Sequence, residues 1–297
     1  MLLITGITGH SGRYFLQELI RNDYQGKIRF IVRNTSDLSL IEKSNLNYEI
    51  ATGDLNDEEF LKTCLKDVDT IFHIVNIRYT LKIVKLAVLY NIKRIICVHT
   101  TGIYSKYRMA SQEYVQIEDE LKKIVERENI KLTILRPTMI YGDLCDHNMS
   151  KFIKMIDTFR IFPVINHGKC LIQPVNARDL GKAYYSVLMS DSNNLKSEYN
   201  LSGDKPISMI DAFKLISENL NKKTIFINCP LGLGVFLAKC LKIATFGKID
   251  YVEKVLRMAE DRDFSHFDAK EDFNYLPEPF AVGIAREVKQ YRNRENT

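Results

Sequence analysis

The sequence contains no tryptophan, no closely paired cysteines and no long apolar run, and each absence excludes something. The six cysteines stand too far apart for a Cys-x-x-Cys unit, and no His, Cys and Asp cluster has metal-ligand spacing, so we predict no metal. Most thiols lie among apolar residues, which is typical of reduced cysteines in a cytoplasmic protein. No leader precedes the first predicted strand, which agrees with that location. Without tryptophan, tyrosine is the intrinsic fluorophore.

What the chain does contain is an ordinary globular composition with a mild excess of positive charge. Its 297 residues are 45% hydrophobic and 27% charged, which allows one large domain or two small ones. The net charge of +5 suits anionic ligands such as dinucleotides or sugar nucleotides. No basic run carries interleaved aromatic residues, so we expect no nucleic-acid binding.

The most informative stretch is the first one, Met1 to Arg33. A short apolar strand leads into Thr-Gly-Ile-Thr-Gly-His-Ser-Gly, after which apolar residues recur at helical spacing. This order is typical of a dinucleotide-binding turn, although an ordinary glycine-rich turn without a ligand is the plain alternative. Gly6 would permit the tight turn, Gly9 would admit the pyrophosphate, and Gly12 would let the helix pack. The helix N–H groups would face the phosphates. The other turn residues predicted to bind cofactor are Thr8, His10 and Ser11.

Arg33 ends the second predicted strand, where an NAD-binding fold carries an acidic residue for the ribose 2′-hydroxyl. A guanidinium can instead hold a 2′-phosphate with two parallel hydrogen bonds, and Arg13 would add charge. The sequence therefore favours NADP, with NAD as the runner-up. The alternative for Arg33 is a solvated charge at a strand end.

Beyond Arg33, apolar strands alternate with helices as far as residue 140. This alternation predicts an α/β fold with a Rossmann-type, doubly wound parallel sheet. The later segments are mostly helical and predict a smaller substrate-side lobe over the carboxyl edge of the sheet. We place the dinucleotide-binding domain at 1–145, with 170–190 returning to it, and the lobe at 146–169 and 191–297.

Several motifs resemble the extended short-chain dehydrogenases/reductases, the NAD-dependent epimerase/dehydratase group, over essentially the whole chain. Asp54-Leu55 matches the family pair at the adenine ring, and His73-Ile74-Val75-Asn76 resembles its His-Leu-Ala-Ala. Leu135-Arg136-Pro137 and Tyr141-Gly142 match its Leu-Arg-Pro…Tyr-Gly, and later elements follow in order. The resemblance implies a Rossmann fold and further cofactor contacts at Asp54, Leu55, Ile74, Val75, Asn76, Pro137 and Thr138.

The match to this family fails at the catalytic centre. Active members use a Ser or Thr to bind the substrate oxygen and a Tyr-x-x-x-Lys pair, in which the lysine lowers the tyrosine pKa. Thr100 fits the first role, because Thr100-x-x-Ile103-Tyr104 matches Ser/Thr-x-x-Val-Tyr. Tyr114 is followed four residues later by Glu118 and not by lysine.

Counting back from Arg136 places Tyr114 on the family's Lys position and Ala110 on its Tyr position, so the pair is broken in either register. The candidate catalytic residues are therefore Thr100, Tyr104 and Tyr114. The candidate substrate-binding residues are Thr101, Tyr107 and Arg178.

Two functions stay open at this point. The first is an NAD(P)-dependent oxidoreductase or epimerase acting on a nucleotide sugar or a similar polar hydroxyl/carbonyl substrate, with a loop tyrosine in place of the usual one. The second is a non-catalytic NADP-binding sensor or scaffold, which resembles NmrA-like members in its turn, in Arg33 and in the missing pair. The full-length C-terminal lobe fits the first function.

The remaining expectations concern contacts with other molecules. We interpret the apolar segment 231–246 as a lobe helix packed on the core, in preference to an amphipathic helix on a membrane surface, and it is too short to span a bilayer. A homodimer through the helices that begin near Tyr79 and Ser111 would follow the habit of the superfamily.

Overall fold

The structure, a computed structural model, describes residues 1–107, 109, 111–146 and 148–295. The register proposed for Ala110 therefore falls outside the described residues. The strands are β1 (Leu2–Thr5), β2 (Ile28–Val32), β3 (Tyr48–Thr52), β4 (Thr70–His73), β5 (Arg94–Val98), β6 (Lys131–Pro137), β7 (Ile140–Tyr141), β8 (Ile161–Ile165), β9 (Leu171–Ile172), β10 (Val175–Asn176), β11 (Glu198–Leu201), β12 (Ile207–Ser208) and β13 (Ile225–Cys229). The helices are α1 (His10–Arg21), α2 (Ser39–Glu42), α3 (Glu58–Cys64), α4 (Thr80–Leu89), α5 (Ser111–Arg127), α6 (Met149–Thr158), α7 (Ala177–Met189), α8 (Met209–Asn219), α9 (Leu231–Ala244), α10 (Val252–Arg257), α11 (Phe267–Phe273) and α12 (Phe280–Glu295).

Seven parallel strands form the central sheet in the order β11-β6-β5-β4-β1-β2-β3. The chain runs outward from β1 to β3 and then returns to place β4 on the other side of β1, so the predicted doubly wound sheet is confirmed. The direction of the crossovers reverses between β1 and β4. A reversal of this kind opens a crevice at the carboxyl ends of the strands, where ligands bind.

Helices cover both faces of the sheet. Side chains along each strand alternate between the two faces, and apolar residues on each face pack against the helices there. Leu2 and Ile4 of β1 join the apolar cluster beneath α1 and α7, whereas Leu3 joins the cluster beneath α3, α4 and α5. In the first cluster the rings of Phe15, Phe72 and Tyr184 pack with centroids 4.6–6.0 Å apart. The core therefore sits on both sides of the sheet.

A third apolar cluster joins α6, α8 and α12 and includes Ile153, Phe213 and Ile284. Two strands that the sequence analysis did not predict, β8 and β13, pair in parallel within this part of the chain. Strand β11 lies at the edge of the central sheet, although it falls within 191–297. The division into two domains stays a proposal, and its boundary needs to leave β11 with the sheet. No helix in the described ranges is long and apolar enough to cross a membrane.

Candidate cofactor and active site

The glycine-rich turn joins the carboxyl end of β1 to the first turn of α1. Gly6 has a φ of +78°, in the left-handed region that favours glycine. A Cβ on Gly12 would lie 2.2 Å from the carbonyl oxygen of Gly6 and 2.8 Å from that of Ile7, so only glycine lets α1 start this close to the strand end. No described side chain caps α1 through a hydrogen bond. The N–H groups of its first turn therefore suit an anionic ligand such as a pyrophosphate.

A cleft with a cavity volume of about 380 Å³ opens from this turn along the ends of β2, β3 and β4. Eleven of the predicted cofactor residues line it, namely Gly6, Thr8, Gly9, His10, Ser11, Gly12, Arg33, Asp54, Leu55, Ile74 and Val75. Among the described residues, the lining does not include Asn76, Pro137 or Thr138. Sequence reasoning left out Ile31, Val32, Ser36, Gly53, Tyr79 and Ile140. Two of these, Val32 and Gly53, directly precede the predicted residues Arg33 and Asp54, and that position was the available signal.

Arg33 is exposed and lines the cleft at the end of β2. Its main-chain N–H donates to the hydroxyl of Ser36 at 3.1 Å, and the Thr8 hydroxyl donates to the same oxygen at 3.4 Å. These two contacts hold the loop after β2 against the glycine-rich turn. Arg33 thus lines the cleft at the strand end where a dinucleotide fold binds the adenosine ribose.

A buried carboxylate, Asp143, anchors the first turn of α1. It accepts hydrogen bonds from Arg13 at 2.9 Å and Tyr14 at 2.8 Å, and it lies 3.1 Å from Nε2 of His10. Burial alone would raise the pKa of Asp143, but the contacts with His10 and Tyr14 hold it well below its usual range. Burial and the hydrogen bond to Asp143 raise the pKa of Tyr14 to about 12. Arg13 is thus paired with a carboxylate at the turn, and sequence reasoning missed that partner.

The second part of the site is the loop after β5. The Thr100 hydroxyl oxygen accepts the N–H of Gly102 at 3.0 Å, which leaves its own O–H able to donate to a substrate oxygen. The hydroxyl of Thr101 donates to the carbonyl of Pro137 at 3.3 Å and ties this loop to the end of β6. Tyr107 lies on the same loop with its side chain exposed.

Tyr104 lies on this loop with 46% of its surface exposed. Its hydroxyl accepts a hydrogen bond from Nη1 of Arg136 at 3.0 Å and lies 3.4 Å from Oδ1 of Asn200. Its ring packs against Phe264 with centroids 5.2 Å apart. The cation beside this phenol is thus an arginine from β6, in place of a lysine one helical turn further along.

Arg136 is itself fixed by carboxylates. It forms a two-pronged ion pair with buried Glu118, and its Nη2 lies 2.8 Å from Oε2 of Glu198. Nδ1 of His99 lies 2.9 Å from Glu118. Burial opposes ionisation of Glu118, but the hydrogen bonds with His99 and Arg136 prevail and lower its pKa to about 2. Burial would lower the pKa of Arg136, and its bonds to Glu118 and Glu198 raise it above the usual range.

Two predicted site residues lie apart from this loop surface. Tyr114 is buried in a small apolar cluster with Ile77 and Ile117, and the Arg78 guanidinium lies 5.5 Å from its ring centroid. Arg178 stacks over the ring of Tyr14 at 4.8 Å, on the α1 side of the molecule. Thr100, Thr101 and Tyr104 thus share one loop, Tyr114 lies in a buried cluster against which Ile103 of that loop packs, and Arg178 lies over Tyr14.

The fold is of Rossmann type, and the cleft lies where such folds bind dinucleotides. Residues 6–152, just under half of the chain, match the family model described as NAD(P)H-binding. No curated protein matches the sequence significantly.

Solved structures of low sequence identity share the fold along nearly the whole chain. A UDP-glucose 4-epimerase from Thermotoga maritima, solved with UDP-glucose, has a TM-score of 0.73 at 15% identity and covers 99% of both chains. A UDP-glucuronic acid 4-epimerase from Bacillus cereus, in complex with UDP-glucuronic acid and NAD, has a TM-score of 0.75 at 14% identity over 99% of both. A dTDP-glucose 4,6-dehydratase from Bacillus anthracis, in complex with NAD, has a TM-score of 0.73 at 16% identity over 99% of this chain and 97% of that one. The chain thus has the architecture of the NAD-dependent epimerases and dehydratases.

Proposed function

We propose that this chain is an NADP-dependent oxidoreductase or epimerase acting on a nucleotide sugar or a similar polar hydroxyl/carbonyl substrate. The observation that carries the proposal is the cleft at the β1–β4 reversal, which the glycine-rich turn, Arg33 and Asp54 line together. The similar epimerases solved with UDP-glucose and UDP-glucuronic acid support the substrate class.

The position of each residue suggests its role in the proposed reaction. The first turn of α1 would bind the pyrophosphate through its N–H groups, and Arg33 would bind the 2′-phosphate. When bound, the nicotinamide supplies or accepts a hydride. Thr100 would donate to the substrate oxygen, and the phenol of Tyr104, held in place by Arg136, would exchange its proton with the substrate.

Three further expectations stay proposals. We retain a cytoplasmic location, which the six free thiols support. We also retain a homodimer through α4 and α5 and the absence of nucleic-acid binding.

Cofactor titration tests the proposal. NADPH and NADH would be titrated against the wild type and Arg33→Ala, with energy transfer from the tyrosines as the signal. Because a charge-assisted hydrogen bond contributes about 1.5–3 kcal/mol, we expect NADPH binding to weaken by about tenfold to 100-fold and NADH binding to change little. Arg21→Ala, at the far and exposed end of α1, is the matched control. Equal, unaffected binding of both cofactors would contradict the NADP assignment.

A substrate screen separates the two functions that the sequence left open. The protein would be incubated with NADPH or NADP and a panel of UDP- and dTDP-sugars, with products separated by chromatography. Turnover of any panel member supports an enzyme. Tight NADPH binding without turnover of any of them would favour the non-catalytic sensor or scaffold.

A further inference from the structure

Helix α9 exposes most of its apolar side chains to solvent. Phe236, Leu237 and Ile243 are 61%, 54% and 75% exposed, and only Gly234 and Ala238 of this helix are buried. The contact with the body is close at that pair, because a Cβ on Gly234 would lie 2.7 Å from Cδ1 of Ile165. The segment was interpreted as a helix packed on the core. Only Gly234 and Ala238 pack in this way, and for the large apolar side chains the interpretation is wrong.

The exposed side chains share one face of the helix. Positions 233, 236, 237, 240, 243 and 244 recur at helical spacing, away from the Gly234–Ala238 stripe. Phe246, just beyond the helix, is 94% exposed and extends the same apolar area. We name this area the α9 surface; its large side chains are Leu233, Phe236, Leu237, Ile243 and Phe246. Apolar areas of this kind mark sites of contact with a protein or a membrane.

The charges around the α9 surface are mostly positive. Lys239 and Lys242 lie on the helix and Lys248 follows it. From 231 to 257 the sequence has five cationic side chains and two carboxylates. One of those carboxylates, Asp250, pairs with Lys242 at 2.7 Å. Large apolar side chains flanked by lysines fit the interface of an anionic bilayer.

We propose that the α9 surface docks on an anionic lipid bilayer, with the helix axis in the plane of the interface. A helix of 14 residues is too short to cross the bilayer core. The charge argues against a second copy of the chain as occupant, because two such surfaces would bring lysines of like sign together. The proposal does not depend on the function proposed above.

Docking in this way would bring the site loop toward the membrane. Helix α10 packs against α9. Its Glu253 carboxylate accepts the N–H of Met109, on the loop after β5, at 3.2 Å. Beyond α10, Glu260 accepts the hydroxyl of Ser105 at 2.6 Å and the N–H of Lys106 at 2.7 Å. The loop that carries Tyr104 is thus tied to the segment that would touch the bilayer.

Vesicle flotation of the full chain tests the proposal. We expect the wild type to bind vesicles of phosphatidylcholine mixed with phosphatidylglycerol and to bind phosphatidylcholine vesicles far more weakly. Phe236→Ser/Phe246→Ser should weaken binding at least tenfold. Lys239→Glu/Lys248→Glu should weaken it at least fivefold, since a lysine near an anionic surface contributes about that factor. Leu89→Ser/Met189→Ser, which removes two exposed apolar side chains elsewhere, should bind like the wild type.

Thermal unfolding and light scattering of each variant accompany the flotation. Unchanged unfolding temperatures assign a loss of binding to the α9 surface, because the substituted side chains are exposed. A wild type that does not float with anionic vesicles overturns the proposal, and so does an aromatic double variant that floats equally well. A wild-type dimer that the aromatic substitutions dissociate, without vesicle binding, also overturns it and assigns the surface to a second copy.

Discussion

The hydroxyl of Tyr104 accepts a hydrogen bond of 3.0 Å from Nη1 of Arg136. The other nitrogens of this guanidinium bind Glu118 and Glu198, so its remaining N–H groups are held in place toward a half-exposed phenol. This relationship fixes the position of a phenol that can exchange a proton. We propose that the pair, from β6 and the loop after β5, replaces the missing Tyr-x-x-x-Lys pair.

Tyr104→Phe should abolish most of the proposed turnover and leave cofactor binding intact. General acid–base catalysis contributes about 100-fold to 10,000-fold, so we expect kcat to fall by at least about 100-fold. The measurement is steady-state kinetics on the best substrate of the screen, together with NADPH titration. Tyr107→Phe, on the same loop, changes a candidate substrate-binding residue: we expect it to raise KM and to change kcat by less than about threefold, since Tyr107 has no proposed part in proton transfer. Equal effects of the two substitutions would remove Tyr104 from the proposed role.

Gly12→Ala should destabilise the protein and remove NADPH binding. The new Cβ would meet the carbonyl oxygen of Gly6 at 2.2 Å, which forces α1 away from the strand end. Overpacking of this kind costs about 3 kcal/mol of unfolding free energy. Gly232→Ala is the matched control, because a Cβ there meets nothing within 4 Å and alanine is the better helix former. Urea unfolding of both variants measures the change in unfolding free energy. A Gly12→Ala variant as stable as the wild type would contradict the close packing of the turn.

Glu118→Gln should reduce stability at neutral pH by about 3 kcal/mol, because it removes one partner of a buried ion pair. The pKa of Glu118 is about 2 in the folded protein, below its ordinary value of 4.5. The stabilisation from its ionised form is therefore present above pH 4.5 and lost as the pH falls toward 2. Urea unfolding at pH 7 and pH 3 should show a smaller difference between variant and wild type at the lower pH. Glu120→Gln, exposed on the same helix, should change little.

Glu287→Gln should stabilise the protein at alkaline pH. Burial, followed by the neighbouring Asp146, raises the pKa of Glu287 to about 10. The folded state then keeps a proton that the unfolded state releases above pH 4.5, so wild-type stability falls as the pH rises between these values. Glutamine stays neutral and can still accept the N–H of Gly142, which the native side chain accepts at 3.1 Å.

We expect the glutamine variant to exceed the wild type by more than about 1 kcal/mol at pH 8 and to match it near pH 4. Unfolding free energies measured across this range test the expectation. Glu42→Gln, at an exposed position, serves as the control. Parallel pH profiles for wild type and Glu287→Gln would show that Glu287 is ionised in the folded protein.

Local signals predicted many of the elements well. Asp57 and Ser208 are residue types that favour a helix start, and each caps one: Asp57 accepts the N–H of Phe60, and Ser208 accepts that of Asp211. Strand β8 was not predicted from the sequence, because Pro163 within it lacks a main-chain N–H donor and is typical of the end of a strand. Its partner β13 was missed with it, because a short strand at a sheet edge shows little burial pattern.

The sequence by itself determined the dinucleotide-binding turn and the order of strands and helices, because glycine conformation and apolar spacing act over a few residues. Only the tertiary structure decided which side chains share a site. Arg136 meets Tyr104 from 32 positions away and Arg13 meets Asp143 across 130, and such pairings leave no local pattern. The exposure of α9 was likewise decided by tertiary structure, because helical spacing is the same whether an apolar face meets the core or the solvent.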